Sequence, residues 1–592
     1  MTFALLHRPE TFPGTVELLR CGTGPAAPGE DVLLVVPAGA APPVTLRVLD
    51  RSTMPVAVAL RTLPAELPEL GDGDFDLSDE EYAAVTRRVL DENIARGDGA
   101  NFVIRRTYRA DYPQWSAEHA KALFRRLLLA ESGAYWTFVV HWAGRTLAGA
   151  TPERHVRMRG GRVSMTPISG TYRYPPDGPD AAGLRRFLAD PKERDELLMV
   201  VDEELKMMAR VCAGGGRVRG PRLRPMARLA HTEYEIEGPS DLAPAEVLRL
   251  TMPVPTVTGS PVARARRVVA AHERTDRRCY GGVLALVTQH DTGPEMDSAL
   301  IIRTADIDAG GRVEVAVGAT LVWGSDPAAE AAETRAKAAT VLAALRREDA
   351  PPVPPAPHRP GELTGELTGE LIGRNDGLSR FWLGRERPVP VPAGRRMLIV
   401  DAEDDFTAML ARMAEALGLD VRVEPWHRDP PTAGADVVLI GPGPGDPRDR
   451  TDPRIARLHA ITRRLLAART PLLAVCLGHQ VLADELGLVI TRMGESAQGV
   501  RRTITVDGRP ERVGFYHSFT AVSAHDEVRG PLTAGPVRIH RDGSGQAVHS
   551  LSGPGLHSVQ FHVESLLTEN GPALLERMTR GVLSGSRSLA VR

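Results

Sequence analysis

A thiol, an imidazole and a carboxylate able to break an amide lie in two short segments near the C-terminus. The apolar run PLLAV leads into Cys476, and LGHQVLADELG then reads as a helix. A thiol at such a strand-to-helix turn sits at a helix N-terminus. There the macrodipole favours thiolate, and a backbone N–H can hold an oxyanion. Taken alone, this local pattern fits a buried structural cysteine equally well. The weight comes from HSVQFHVES, where His562 and Glu564 stand two apart on a predicted strand end, so that both side chains point the same way. Glu564 can then orient His562, and His562 can deprotonate Cys476.

A second chemistry is written in carboxylates. Glu193 and Glu196 are three apart in KERDELLMVVDEEL, and Glu330 and Glu333 are three apart in PAAEAAETRAKAA. On a helix that spacing puts both members of a pair on one face. Two such faces brought together make a hard-oxygen site suited to Mg2+, which also takes water and an anionic substrate. For any single pair a solvated helix face is the commoner reading.

The elements that must position these residues divide the chain. Near residues 346–395 comes the proline-rich REDAPPVPPAPHRP, which can continue neither a helix nor a central strand. GELTGELTGELIG follows, with three copies of a short unit that read as low-complexity linker. In RNDGLSRFWLG, Phe381 and Trp382 are expected to anchor this linker to a domain surface. Residues 396–592 alternate strands (RRMLIVDAEDD, DVVLIGPGPGDP, PLLAV) with helices such as FTAMLARMAEALG. That order predicts an α/β unit with a mostly parallel sheet whose sites lie at strand carboxyl ends. Residues 1–345 mix hairpins, such as YWTFVVHWAGRTLAG and HVRMRGGRVSMTP, with helices, and read as one large α+β domain.

The bulk numbers agree with several domains, since 592 residues exceed one ordinary core. Hydrophobic residues at 42% and charged residues at 25% are those of a soluble globular chain. A net charge of −2 without a long basic run gives no reason to propose nucleic acid or an acidic membrane surface. No apolar stretch approaches the ~20 residues that cross a bilayer, and MTFALLHRPETFPG lacks the features of a signal peptide. Cys21, Cys212, Cys279 and Cys476 are widely spaced, which fits a reducing cytoplasm.

CLGHQ, GPGPGDP and QFHVES resemble the three signature segments of class I glutamine amidotransferases. The resemblance implies Cys476 as nucleophile with His562 and Glu564. It also implies an oxyanion hole from the backbone near Gly443 and Leu477, and L-glutamine held by Gln480, Ser518 and Phe519. Val563 departs from the family's usual proline and leaves the triad spacing intact. In the first half, TPER, TPISGT, HTEYEIEG, PTVTGSP, YGGV, IIRTA and VGATLVWGSDPAAEAAET occur in the order found in chorismate-utilising enzymes of the anthranilate synthase type. That resemblance implies Mg2+ on Glu193, Glu196, Glu330 and Glu333, with Glu196 and Glu333 as direct ligands. Glu153 would be the general acid for the departing ring 4-hydroxyl. Tyr280 and Arg303 would grip carboxylates, with Gly318 in the substrate pocket, and His231, Thr171 and Thr256 would stand beside the ring. A core histidine and chain-turning threonines are the plain readings of the last three.

Relatives that aminate ring position 4 resemble PIKGT with a covalent lysine, where this chain has Ser169; water-adding relatives use a lysine that matches Asn101. With neither lysine present and a glutaminase attached, ammonia attack at ring position 2 is expected. The product would be 2-amino-2-deoxyisochorismate (ADIC). HTEYEIEG, GSPVARA, DSALIIRTADID and Val262 are similar to the phenazine-type ADIC synthases. The chain also starts without the leucine- and serine-rich segment that binds feedback tryptophan. Anthranilate synthesis, with pyruvate eliminated, is the alternative. Another class of reading is a glutaminase fused to a degenerate chorismate-binding module. In the ADIC reading a carboxylate at Glu233 holds His231 protonated or turned away from the ring. The resemblance also implies a homodimer.

Overall fold

A computed structural model of the chain describes residues 2–39, 41–131, 133–175, 180–226, 229–347, 367, 369–391, 394–428, 434–541 and 545–590. The proline-rich segment and most of the repeated Gly-Glu-Leu units fall outside the described residues. Among the described helices none is long and apolar enough to cross a membrane.

Among the described residues of the first half, 18 strands from Thr2–His7 to Arg312–Val322 join through antiparallel pairings. The two expected hairpins form, Trp136–Trp142 with Arg145–Thr151 and Arg154–Arg159 with Arg162–Met165. The longest ladder pairs Asn101–Asp111 with Arg312–Val322. At its end the chain enters the helix Pro327–Leu345, started by Asp326, whose side chain accepts from Ala329 N–H. The other glutamate-bearing helix, Pro191–Val211, is buried around most of its circumference, including Asp202, Glu203, Glu204 and Lys206. It lies against strands Ile168–Arg173 and Leu229–Pro239 of its own half. On its other side it meets helix Phe406–Ala416 and strand Val489–Val506 of the second half.

The second half is built on parallel strands Asp420–Pro425, Arg396–Asp401, Val437–Ile440, Leu472–Val475 and Leu556–Val559, neighbours in that order. Antiparallel strands Ala547–Gly553, Arg509–Val522 and Val489–Val506 extend the sheet on one side. Helix Phe406–Ala416 stops where the sequence predicts, with Gly418 at φ 83° just past its end.

The connecting segment is held more firmly than a low-complexity linker would be. Leu367 and Leu371 are buried with Leu184 and Leu188. Phe381 and Trp382 are buried, and the Trp382 indole N–H donates to the Glu564 carbonyl at 2.6 Å.

Candidate active sites

In the first half one cavity gathers nine of the residues singled out above. Glu153, Thr171, Glu196, His231, Thr256, Tyr280, Arg303, Gly318 and Glu333 all line it, with Ser169 and Lys337 beside them. Thr256 Oγ1 donates to Glu153 Oε1 at 3.0 Å. Burial raises Glu153 to about 7, against the pull of Thr256, Lys337 and Arg303. A carboxyl so tuned keeps a proton near neutral pH, which is what a general acid needs. Gly318 makes room for Tyr280, because a Cβ there would fall 2.6 Å from the tyrosine hydroxyl. Arg303 sits at φ 53°, a strained conformation for a side-chain-bearing residue. Burial works against its charge, and Glu131, Glu333, Tyr280 and Glu153 oppose that.

His231 Nδ1 is 2.8 Å from the Gly170 carbonyl, so Nδ1 carries the proton and donates. Nε2 is buried without a partner. Burial, then Arg303, lowers this ring to about 4. The expected effect of Glu233 is corrected here. Arg224 holds Glu233 at 3.2 Å, and His231 stays neutral because it is buried among cations.

The four glutamates face the same region. Glu193 Oε2 would lie 2.9 Å from a Cβ on Gly170, and Ser169 Oγ donates to Glu196 Oε1 at 2.9 Å. Burial raises Glu330, with Glu333 and Glu196 adding to it. Lys337 is 2.7 Å from Glu333 Oε1 and donates to the Gly318 carbonyl at 3.1 Å. Among the described residues no three such side chains converge closely enough to hold a metal as they stand. The donor set nevertheless fits a hard divalent cation, since carboxylates from two helices crowd one cavity and repel each other. Lys337 escaped the sequence reading, although its i+4 place after Glu333 was a usable signal.

In the second half Cys476 stands at φ 53°, ψ −107° between strand Leu472–Val475 and helix Leu477–Glu485. This strained elbow puts the thiol at the helix N-terminus, as predicted. The expected thiolate does not follow. Burial pushes the thiol far up, with Asp404 and Glu564 adding, and the bond from Leu477 N–H offsets only part of it. His562 Nδ1 is 2.7 Å from Glu564 Oε1, while His562 Nε2 is left without a partner. Burial disfavours charge on both, lowering His562 to about 4 and raising Glu564 to about 8. The i, i+2 geometry does not come from a strand. Leu556–Val559 has ended, and His562 and Glu564 lie on the turn that follows, pinned by His562 N–H to the Gly514 carbonyl at 2.9 Å.

Gly443, Cys476, Gln480, Ser518 and Phe519 line one pocket, and Leu477 begins the helix behind it. A Cβ on Gly443 would fall 2.5 Å from the Ala402 carbonyl. Gln480 Nε2 donates to the Phe519 carbonyl at 2.6 Å, and Ser518 Oγ meets Ser496 Oγ at 2.7 Å. The same pocket is closed by Gly97, Gly99, Ala100, Glu203, Lys206, Ser260 and Pro261 from the first half, which the sequence reading missed. Lys206 Nζ is 2.6 Å from Glu203 Oε1 and 3.7 Å from the centre of the Phe406 ring, which itself lies 4.3 Å from the His562 ring. Burial would lower Lys206, but Glu203, Asp404 and Asp202 keep it charged.

Two family descriptions match the chain: chorismate binding enzyme over residues 51–343, and class I glutamine amidotransferase over residues 398–581. A Pseudomonas chlororaphis protein named "Anthranilate synthase, phenazine specific" is 43% identical over 98% of this chain and 95% of its own length. A Pseudomonas fluorescens protein of the same name gives the same figures. An anthranilate synthase of Azospirillum brasilense is 33% identical over 79% of this chain and 61% of its own length. Among solved structures, anthranilate synthase component I from Streptococcus pneumoniae aligns with 57% of this chain and 89% of its own, at TM-score 0.44 and 19% identity.

Proposed function

We propose that this chain, which belongs to the family joining a chorismate binding enzyme to a class I glutamine amidotransferase, aminates chorismate at ring position 2 and releases ADIC with the pyruvate group still attached. Glutamine-dependent use of chorismate is the activity of the family it belongs to. In this reading residues 1–345 bind chorismate, 396–592 release ammonia, and 346–395 connect them.

Cys476 attacks the glutamine amide and passes its proton to His562 Nε2, while Glu564 holds Nδ1. Backbone N–H groups at Gly443 and Leu477 receive the oxyanion. In the other cavity Arg303 and Tyr280 hold chorismate carboxylates. The ammonia lone pair forms a bond to C2, the two ring double bonds shift, and the C4–O bond breaks. Glu153 protonates that oxygen, so it leaves as water. Glu196 and Glu333, with Glu193 and Glu330 behind them, would hold Mg2+, which supplies charge neutralisation at the ring carboxylate.

The observation that carries the ADIC reading is the state of His231. Loss of pyruvate needs a base for the C2 proton, and His231 is the imidazole beside the ring. Its Nε2 has no hydrogen-bond partner, and Arg303, Lys337 and Arg224 around it oppose the positive charge it would take up with that proton. On His562, by contrast, Asp404, Asp202 and Glu203 favour such a charge. The test is to incubate enzyme with chorismate, glutamine and Mg2+ and follow anthranilate fluorescence and pyruvate. Neither is expected to form while chorismate disappears. Release of either at the rate of chorismate loss would establish anthranilate synthesis instead.

A further inference from the structure

The imidazole of His562 has Glu564 on Nδ1 at 2.7 Å and no hydrogen-bond partner on Nε2. One hydrogen bond fixes one ring atom, so the tilt of the ring is left to what packs against it. Two aromatic rings do so. Phe406 lies 4.3 Å away at 46°, and Tyr516 meets the imidazole edge-on at 5.3 Å and 80°. The two rings also lean on each other, with centres 5.0 Å apart. Both belong to the second half, and both are held from the first half by helix Pro191–Val211. The Tyr516 hydroxyl donates to Asp202 at 2.7 Å, and one i+4 step along the same helix Lys206 Nζ stands 3.7 Å from the centre of the Phe406 ring. It is 5.9 Å from the centre of Tyr516 as well.

Lys206 is 3% exposed, and it lines the pocket that contains Cys476. Burial works against its charge, and Glu203, Asp404 and Asp202 outweigh that. Its ammonium donates to Glu203 Oε1 at 2.6 Å and to Ser260 Oγ at 3.3 Å. Those two contacts account for a buried lysine but not for its place on a ring face. An ammonium has three donors, and the third side of this one is turned to Phe406, where the missing water makes the attraction strong.

We propose that Lys206 is a positioning residue for the release of ammonia: from the chorismate half, its ammonium holds the Phe406 ring against His562 and so keeps Nε2 turned to Cys476. This rests on the reading of Cys476 and His562 as nucleophile and base. The base of one half is then aligned only while a helix of the other half is docked on it.

Lys206→Gln can still donate to Glu203 and Ser260 but takes the charge off the ring, whereas Lys206→Arg keeps it. Lys206→Met is a second neutral variant with the same expected loss. Chorismate consumption driven by saturating glutamine and by ammonium salt is measured on each full-length variant. The ratio of the two cancels losses common to both. In Lys206→Gln that ratio is expected to fall about tenfold, because a displaced catalytic group costs about one to two orders of magnitude, while the KM for glutamine stays within about twofold. Lys206→Arg is expected to restore most of it. A raised KM with kcat unchanged would make Lys206 a glutamine-binding residue and overturn the inference, as would an arginine variant no better than the glutamine one. Action through the ring is tested by Phe406→Leu, alone and combined with Lys206→Gln. The combined variant is expected to be no worse than Phe406→Leu alone, and losses that multiply overturn the inference. His562→Gln separates the two readings. If it keeps glutamine-driven activity, the assignment of the base fails; if it is inactive while the other losses multiply, only the role of Lys206 fails.

Discussion

At the scale of single residues, the nucleophile shows two effects pulling against each other. Its place at a helix N-terminus favours thiolate, yet full burial beside Asp404 and Glu564 outweighs that and keeps Cys476 protonated. Ionisation then belongs to the moment when glutamine is bound and His562 Nε2 can take the proton. Cys476→Ser keeps the shape but raises the cost of that step greatly. Glutamine-driven chorismate consumption should fall at least about 10³-fold, by the scale of losses seen when a triad member is removed. Consumption driven by concentrated ammonium salt at raised pH should stay within about twofold, because the chorismate cavity contains no part of the elbow. Equal loss with both nitrogen sources would mean that Cys476 supports the fold and not the chemistry. The proposed triad is legible because CLGHQ and QFHVES pack its nucleophile, base and orienting group into two short segments. The missed residue Lys337 has a place set by which helix face meets a cavity, and sequence spacing alone leaves that face indistinguishable from a solvated one.

At the scale of elements, helix Pro191–Val211 joins the two chemistries. One face presents Glu196 and Val200 to the proposed chorismate cavity, while Glu203 and Lys206 close the proposed glutamine pocket. Between them Asp202 accepts hydrogen bonds from the Tyr516 hydroxyl at 2.7 Å, from Ser565 Oγ, and from Leu566 N–H at 2.7 Å. Those bonds fix the turn that carries His562 and Glu564. Burial raises Asp202 to about 6, and its three donors pull the other way. The sequence shows this helix and its period, but its acidic run looks like a solvent face, because its partners lie more than 300 residues away. Asp202→Asn removes a charge and one acceptor oxygen, which costs about 1.5–3 kcal/mol for a hydrogen bond to a charged group. The ratio of glutamine-driven to ammonium-driven activity should therefore drop about tenfold or more. An unchanged ratio would show that the turn holds its shape without Asp202.

At the scale of the whole molecule, the linker region decides whether two catalysts behave as one. Composition marks a break near residues 346–395, since proline and repeated glycine interrupt every periodic pattern there. Phe381 and Trp382, expected from the sequence to anchor the segment after that break, are buried against the rest of the chain. Ser379 and Arg380 donate backbone N–H groups to the carbonyls of Leu566 and Glu569, and Val218 N–H donates back to the Trp382 carbonyl. The Trp382 ring packs so closely on Gly215 that a Cβ there would fall 2.7 Å from it, and its N–H holds the Glu564 backbone. One side chain thus ties the first half to the triad turn of the second. Trp382→Ala should cost about 3–5 kcal/mol, as for other large buried aromatics, and lower the melting temperature. It should also let the two reactions drift apart, so that glutamate released per chorismate consumed rises clearly above the parent's value. A lower melting temperature with that ratio unchanged would leave Trp382 a stability role only. An unchanged melting temperature would mean the halves are held together by the Asp202 and Lys206 contacts without help from the linker.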